Sequence, residues 1–277
     1  KYAGGILAVA NHVSDFCKSA KVLTYLGDRN DEKDFIQHNL NKNIKLESIA
    51  KADSPTILKT RFIDSYTKNK IMGVYDLNDD ILNEMEEKEL NDNLLACIDR
   101  YDIVLVVDYG HGLITPCIVD TLEKNSKYLA VNTQLNSFNI GYHTISKYTN
   151  VDYVCVHEGE LRHDYRNRYD TVEHLTKRLA ERINCGVITI TRGNAGSVVY
   201  KDGKFLECPA FAGKVVDRVG AGDTLLAITA LCFAADLPED LTLLLGNLAA
   251  AETVAFTGTG NRLQKVSLLK AVQTLLK

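Results

Sequence analysis

Short runs of Val, Ile and Leu alternate along most of the chain with longer stretches whose apolar residues recur at helical spacing. The runs at 21–26, 102–108, 128–132, 152–156 and 186–191 predict strands, and 5–19, 84–100, 116–125 and 172–184 predict helices. Near-continuous apolar strands separated by helices point to a parallel sheet covered on both faces and linked by right-handed crossovers. The expected fold class is α/β, a three-layer sandwich around a central, mainly parallel sheet. Two regions break the alternation. Residues 43–77 read as three strands (44–49, 56–64 and 70–75) with no helix between them, which predicts a small antiparallel flap or lid over one sheet edge. After Gly213 the pattern turns helical, at 221–235, 241–256 and 266–276, and before it Asp202-Gly203 sits between 197–200 and 204–207 as a hairpin signal.

Composition narrows the function classes. With 277 residues, 45% hydrophobic and 25% charged, the chain is an ordinary globular sequence read here as one domain with its lid. A net charge of −4 lacks the basic stripe of a nucleic-acid binder, so no nucleic-acid partner is expected. No apolar run approaches the length of a membrane span, and no membrane partner is expected. Seven cysteines without a Cys-x-x-Cys pair suit a reducing, cytoplasmic compartment better than a disulfide framework, and neither they nor the histidines show metal-ligand spacing. The first residues, Lys1-Tyr2-Ala3-Gly4-Gly5, carry neither an initiator Met nor a signal peptide, so the reading expects a longer protein whose preceding residues include a first strand and part of the substrate pocket.

Chemistry concentrates at Val216-Asp217-Arg218-Val219-Gly220-Ala221-Gly222-Asp223-Thr224, which runs straight into an apolar helix. Gly220-Ala221-Gly222 can bring bare N–H groups to a ligand, and a helix start adds unsatisfied donors and a positive dipole end, a setting for a phosphate. Asp223, in the first turn, can cap the helix or serve as a general base.

Asp217–Asp223 resembles the Asp-Thr-x-Gly-Ala-Gly-Asp signature of the ribokinase-like (PfkB) carbohydrate kinases, with Arg218 in place of the usual Thr. The resemblance implies a ribokinase-like fold and transfer of a phosphoryl group from ATP, with Mg2+, to a sugar hydroxyl. It makes Asp223 the base and Gly220, Ala221 and Gly222 the anion hole. Gly4-Gly5 resembles the family's motif beneath the sugar. Thr191-Arg192-Gly193-Asn194-Ala195-Gly196 resembles the turn bordering the nucleotide, Asn247 stands in the small-residue helix beside the adenine, and Thr257-Gly258-Thr259-Gly260 resembles the loop closing that pocket. His157-Glu158-Gly159-Glu160 occupies the place of the Asn-x-x-Glu motif, which makes Glu160 the candidate for organising a hydrated metal and sets His157 at the nucleotide. The alternative for Glu160 is a solvated residue at a helix start. Lys59-Thr60-Arg61 and Asp108-Tyr109-Gly110-His111-Gly112 look most like the heptose-phosphate kinase branch, often fused to a nucleotidylyltransferase that this chain is too short to contain. Lys59, Arg61, Asp108 and His111 are accordingly candidate contacts to a sugar or sugar-phosphate substrate, and paired lids would make a homodimer.

The sequence departs from the family at Ala8 (usually a sugar-contacting Asn), at Asn132-Thr133-Gln134 (usually Asp-Pro-Lys) and at His157 (usually Asn). The sugar end has thus lost polar groups while the phosphoryl-transfer end keeps its own, and a site built to hydrogen-bond one hydroxyl does not discard those partners without changing its substrate. Two further readings stay open: a nucleoside or other small-alcohol kinase, and a nucleotide- or sugar-binding domain with weak catalysis.

Overall fold

The computed structural model describes residues 1–66, 70–136, 139–256, 258 and 262–275. The chain enters helix α1 (Ile6–Ser14), then strand β1 (Ala20–Gly27), helix α2 (Lys33–Asn39) and strand β2 (Ile44–Lys51). Helix α1 stops a turn before the predicted residue 19, because the Asn43 amide donates to the Ser14 carbonyl at 2.8 Å and so ends the helix from outside. β1 and β2 pair in parallel, Ala20 opposite Ile44 through Gly27 opposite Lys51, with α2 as the crossover.

That pairing corrects the flap expected over 43–77. Residues 44–51 belong to a parallel pair whose Tyr25 and Ile49 enter the core. Only β3 (Leu58–Ile63) and β4 (Lys70–Asp76) form the antiparallel lid, and neither carries a fully buried side chain. Period-two patterning marks a strand but not its partner, and Ile49 is the residue of this region fully buried in the core.

Helix α3 (Glu84–Leu95) follows, ending before the predicted residue 100 with a single 3-10 turn at Ile98–Arg100. Next come β5 (Val104–Asp108), α4 (Pro116–Asn125), β6 (Leu129–Thr133), β7 (Tyr153–His157), α5 (Glu158–Tyr165), α6 (Val172–Arg182) and β8 (Val187–Thr191). The hairpin of β9 (Ser197–Lys201) and β10 (Lys204–Cys208) turns at Asp202-Gly203, as its sequence predicts. Helices α7 (Ala221–Ala234), α8 (Glu239–Val254) and α9 (Lys265–Leu275) complete the described chain. The main sheet runs β10–β9–β8–β7–β6–β5, parallel from β5 to β8 and antiparallel at the hairpin edge.

Alternation within β7 shows how three layers arise. Val154 and Val156 point into a core shared with Leu122, Leu161, Leu175 and Leu179 of α4 to α6. Tyr153 and Cys155 point the other way, against Leu225, Leu226, Phe233 and Leu243 of α7 and α8. A strand covered on both faces is buried along most of its length, which is why these segments are largely apolar, as in Tyr153-Val154-Cys155-Val156. The three-layer α/β architecture is the expected one. Among the described residues no helix is long and apolar enough to cross a membrane.

Candidate active site

Helix α7 starts where the chain turns through Gly220, whose φ of 88° is a left-handed conformation that glycine adopts without strain. The Ala221 amide reaches back toward the Arg218 carbonyl at 3.5 Å, and the Thr224 amide bonds the Gly220 carbonyl at 2.9 Å. Between them the amides of Gly222 and Asp223 find no acceptor among the described residues. These two donors, at the positive end of a fourteen-residue helix, are unspent. Thr224 locks the turn from behind, its hydroxyl bonding the Gly220 carbonyl at 2.9 Å and lying 3.2 Å from Nε2 of the buried His12 on α1.

Asp223 keeps one side open to a cavity of about 1300 Å³ and is otherwise enclosed by protein. Burial pushes its carboxyl up to about 6, opposed by the Tyr109 hydroxyl and the Lys59 ammonium, both of which favour the charged form. Tyr109 is itself held protonated by burial and by the Asp223 charge. Its buried hydroxyl makes no hydrogen bond of ordinary geometry to a described residue. Gly5, with a φ of 57°, starts α1 against that phenol ring: a Cβ there would lie 3.4 Å from the ring edge.

The same cavity is lined by Gly4, Gly5, Lys59, Arg61, Asp108, His111, Gly220, Gly222, Asp223 and Gly258, so the fold gathers ten of the sequence-derived candidates from five separate stretches. Lys59 and Arg61 face it from one side of the lid, since Lys59 pairs with Tyr75 across the hairpin and Arg61 is two residues on. Asp108, expected as a substrate contact, lines the cavity and also braces the turn beside it. Its carboxylate is occupied by the Tyr148 hydroxyl at 2.8 Å, by the Lys147 ammonium and by the Gly110 amide at 3.1 Å, which together fix the turn carrying Tyr109 and His111. Tyr109 is a member that the sequence reading missed. The placement of Tyr109 between a strand end and Gly110 was the only available signal.

Of the nucleotide-side candidates, Gly258 lines that cavity, while Thr191, Gly193, Gly196, Asn247 and His157 lie outside it. Thr191 ends β8, and Gly193 follows it with a φ of 57° and no atom within 4 Å of where a Cβ would stand, leaving the turn open to a ligand. Gly196, with a φ of 83°, passes so close to β10 that a Cβ would fall 2.0 Å from the Cys208 carbonyl. Asn247, expected beside the adenine, is buried, and its amide nitrogen donates to the Ser197 hydroxyl at 2.7 Å and to the Leu243 carbonyl at 2.8 Å, clamping α8 to β9. Of the closing loop, Gly258 is described, while Thr257, Thr259 and Gly260 lie outside the described residues.

His157 caps α5, its Nδ1 accepting from the Gly159 amide at 3.0 Å, so the change from Asn keeps a capping acceptor. Glu160 closes the capping box. One oxygen accepts from the His157 amide at 2.7 Å and the other from the Leu135 amide at 3.1 Å, tying the loop after β6 to α5. Glu160 is therefore enclosed rather than solvated, and burial, helped by the charge of Asp223, pushes its carboxyl up to about 7. Among the described residues no group of three His, Cys, Asp or Glu side chains could hold a metal by itself.

Escherichia coli phosphofructokinase-2 in complex with potassium superposes with a TM-score of 0.80 at 15% identity, covering 99% of this chain and 88% of that one. Arabidopsis thaliana ribokinase complexed with ribose and ATP gives 0.70 at 17% identity, covering 98% and 88%. At such identities the likeness shows the fold, which is ribokinase-like. By sequence, the bifunctional protein HldE of Helicobacter pylori (strain G27) is 26% identical over 97% of this chain and 58% of its own length. That of Rhodopseudomonas palustris (strain BisA53) is 25% identical over 93% and 53%. The chain thus spans about half the length of the curated relatives it matches. Residues 1–266 match the profile of the pfkB family of carbohydrate kinases, and the chain belongs to that family, an enzyme family of phosphotransferases.

Proposed function

We propose that this chain transfers the γ-phosphoryl group of ATP to a hydroxyl of a phosphorylated sugar, a heptose phosphate being the first candidate, with Asp223 as the base. The observation that carries the reading is the pairing of an enclosed carboxylate with the two unspent amides of Gly222 and Asp223 at one helix N-terminus. The carboxylate takes the proton of the acceptor hydroxyl while the amides meet the charge developing on the migrating phosphoryl group. Lys59 and Arg61 supply cations that form no ion pair with a described carboxylate, which suits an anionic substituent on the sugar. The open turn at Gly193 and the free amides of α7 support the choice of ATP as the phosphoryl donor. Magnesium fits as an ion carried chiefly by phosphates and water, since it needs only one or two carboxylates. Glu160 would meet its water shell, and the ion would neutralise phosphate charge. A nucleotidylyltransferase partner would lie outside these 277 residues.

A second copy of the chain is the proposed partner of the lid. Leu58, Phe62, Met72 and Val74 share the lid face opposite Lys59 and are each between 43% and 51% exposed. A two-stranded hairpin with an apolar outer face is marginal alone and gains from being covered. Purified protein incubated with ATP, Mg2+ and a panel of sugar phosphates, free sugars and nucleosides tests the acceptor. Turnover of phosphorylated sugars that is lost in Asp223→Asn supports the reading, and a preference for nucleosides overturns it.

A further inference from the structure

Outside the phosphoryl-transfer residues, the described structure contains a three-member chain that links the lid to the body. Nδ1 of His111 lies 2.6 Å from Oδ1 of Asp79, and Nε2 of the same ring lies 2.9 Å from the Lys59 ammonium. Asp79 follows the second lid strand, Lys59 sits on the first, and His111 belongs to the turn after β5. Each hydrogen bond fixes the next. An ammonium has only protons to give, so Nε2 must be the acceptor and Nδ1 must carry the ring proton, which it donates to Asp79. The imidazole is 6% exposed, and its position is set by the turn that Asp108 holds.

We propose that His111 is a positioning residue: its neutral ring, held in one tautomer by Asp79, latches the Lys59 ammonium over the cavity and so closes the lid on an anionic acceptor. This deepens the kinase reading and rests on it for the identity of the occupant. A direct lysine–carboxylate pair would spend the cation, whereas a neutral imidazole holds Lys59 in place and leaves its charge for the ligand. The groups facing Lys59 agree with that assignment. Tyr75 and Tyr109 present ring faces 5.8 and 5.7 Å away, Arg61 repels it, and Asp79 and Asp223 attract it from a distance. Burial and the Lys59 charge, with a smaller push from His143, lower the His111 pKa, outweighing the pull of Asp79. The Tyr25 hydroxyl donates to the His111 carbonyl at 3.3 Å, which further fixes the turn beneath the ring. A protonated ring has no acceptor for the ammonium and repels it, so acid opens the latch.

Kinetics with the best-turned-over sugar phosphate of the panel test the role. His111→Leu should raise the KM for that acceptor about tenfold, the cost of one charge-assisted hydrogen bond, with kcat within about twofold. His111→Gln, whose amide oxygen replaces Nε2 as acceptor, should recover most of that loss and remove the acid rise in KM, leaving only the limb due to the substrate's own phosphate. Lys59→Met combined with His111→Leu should be no worse than Lys59→Met alone. Full additivity of the two variants, or a fall in kcat at unchanged KM, overturns the proposal. The latch is also read without activity: 15N NMR of the imidazole should report an Nδ1–H tautomer at neutral pH whose Nε2 resonance shifts in Lys59→Met. An Nε2–H tautomer, or no response to Lys59→Met, overturns it even if the kinase reading stands. If no acceptor is turned over, the NMR result still decides the latch.

Discussion

Asp217 fastens the loop before α7 to the loop after α8: one carboxylate oxygen accepts from the Val219 amide and the other from the Gly258 amide, each at 3.0 Å. The free amides of Gly222 and Asp223 are useful only if the bend ahead of them does not move, and this carboxylate is what braces it. Asp217→Ala removes both acceptors. The expected outcome is a fall in kcat of about 10–100-fold with a loss of stability of only about 1–3 kcal/mol, read by steady-state kinetics beside urea unfolding. Equal wild-type kcat would show that the bend holds itself.

Asp223 carries a trade-off that can be measured. As the base it should account for about 10²–10⁴-fold of kcat, so Asp223→Asn should lose that much, and the wild-type kcat should fall as pH drops through about 6. Its folded pKa lies above the ordinary carboxylate value of 3.8, so the folded state holds a proton that the unfolded state has released between those two values. Stability contributed there is lost as pH rises through about 6, and ionised Asp223 strains the fold at pH 8. Asp223→Asn should therefore be more stable than wild type at pH 8, by about 2–3 kcal/mol, with the difference closing toward pH 4. A variant no more stable at pH 8 would show that the carboxylate is solvated.

His12 gives the opposite slope. The ring is buried, accepts from the Leu263 amide at 3.1 Å and lies beside Thr224, and burial lowers its pKa to about 4 from 6.5. Above 6.5 both states are neutral; below it the unfolded chain takes up a proton that the folded chain refuses. Stability should fall by roughly 3 kcal/mol as pH drops from 6.5 toward 4. His12→Asn, which keeps a single acceptor and cannot charge, should lack that part of the slope in unfolding titrations.

The lid face is tested by oligomeric state. Phe62→Lys together with Met72→Lys places two charges among exposed apolar side chains on the face away from the cavity. Solution scattering should show a dimer for the wild type and a monomer for the double variant. A wild-type monomer at working concentration would remove the second copy from the proposal.

Much of this protein was written in local pattern. The doubly buried strands β5 to β8 have little choice of partner, because a run such as Tyr153-Val154-Cys155-Val156 can satisfy both faces only inside a covered sheet. Gly220-Ala221-Gly222-Asp223 likewise announces itself, since bare amides entering an apolar helix are a local property of the chain. What tertiary structure decided are the relations between distant residues. Pairing with β1 took 44–51 out of the lid, the Lys147 ammonium and the Tyr148 hydroxyl turned Asp108 into a brace, and Ser197 took the amide of Asn247. A polar side chain has the same letters whether its hydrogen bonds are spent inside the fold or left open to a ligand. Which of the two holds depends on partners that arrive from elsewhere in the chain, and only three-dimensional packing brings them within 3 Å.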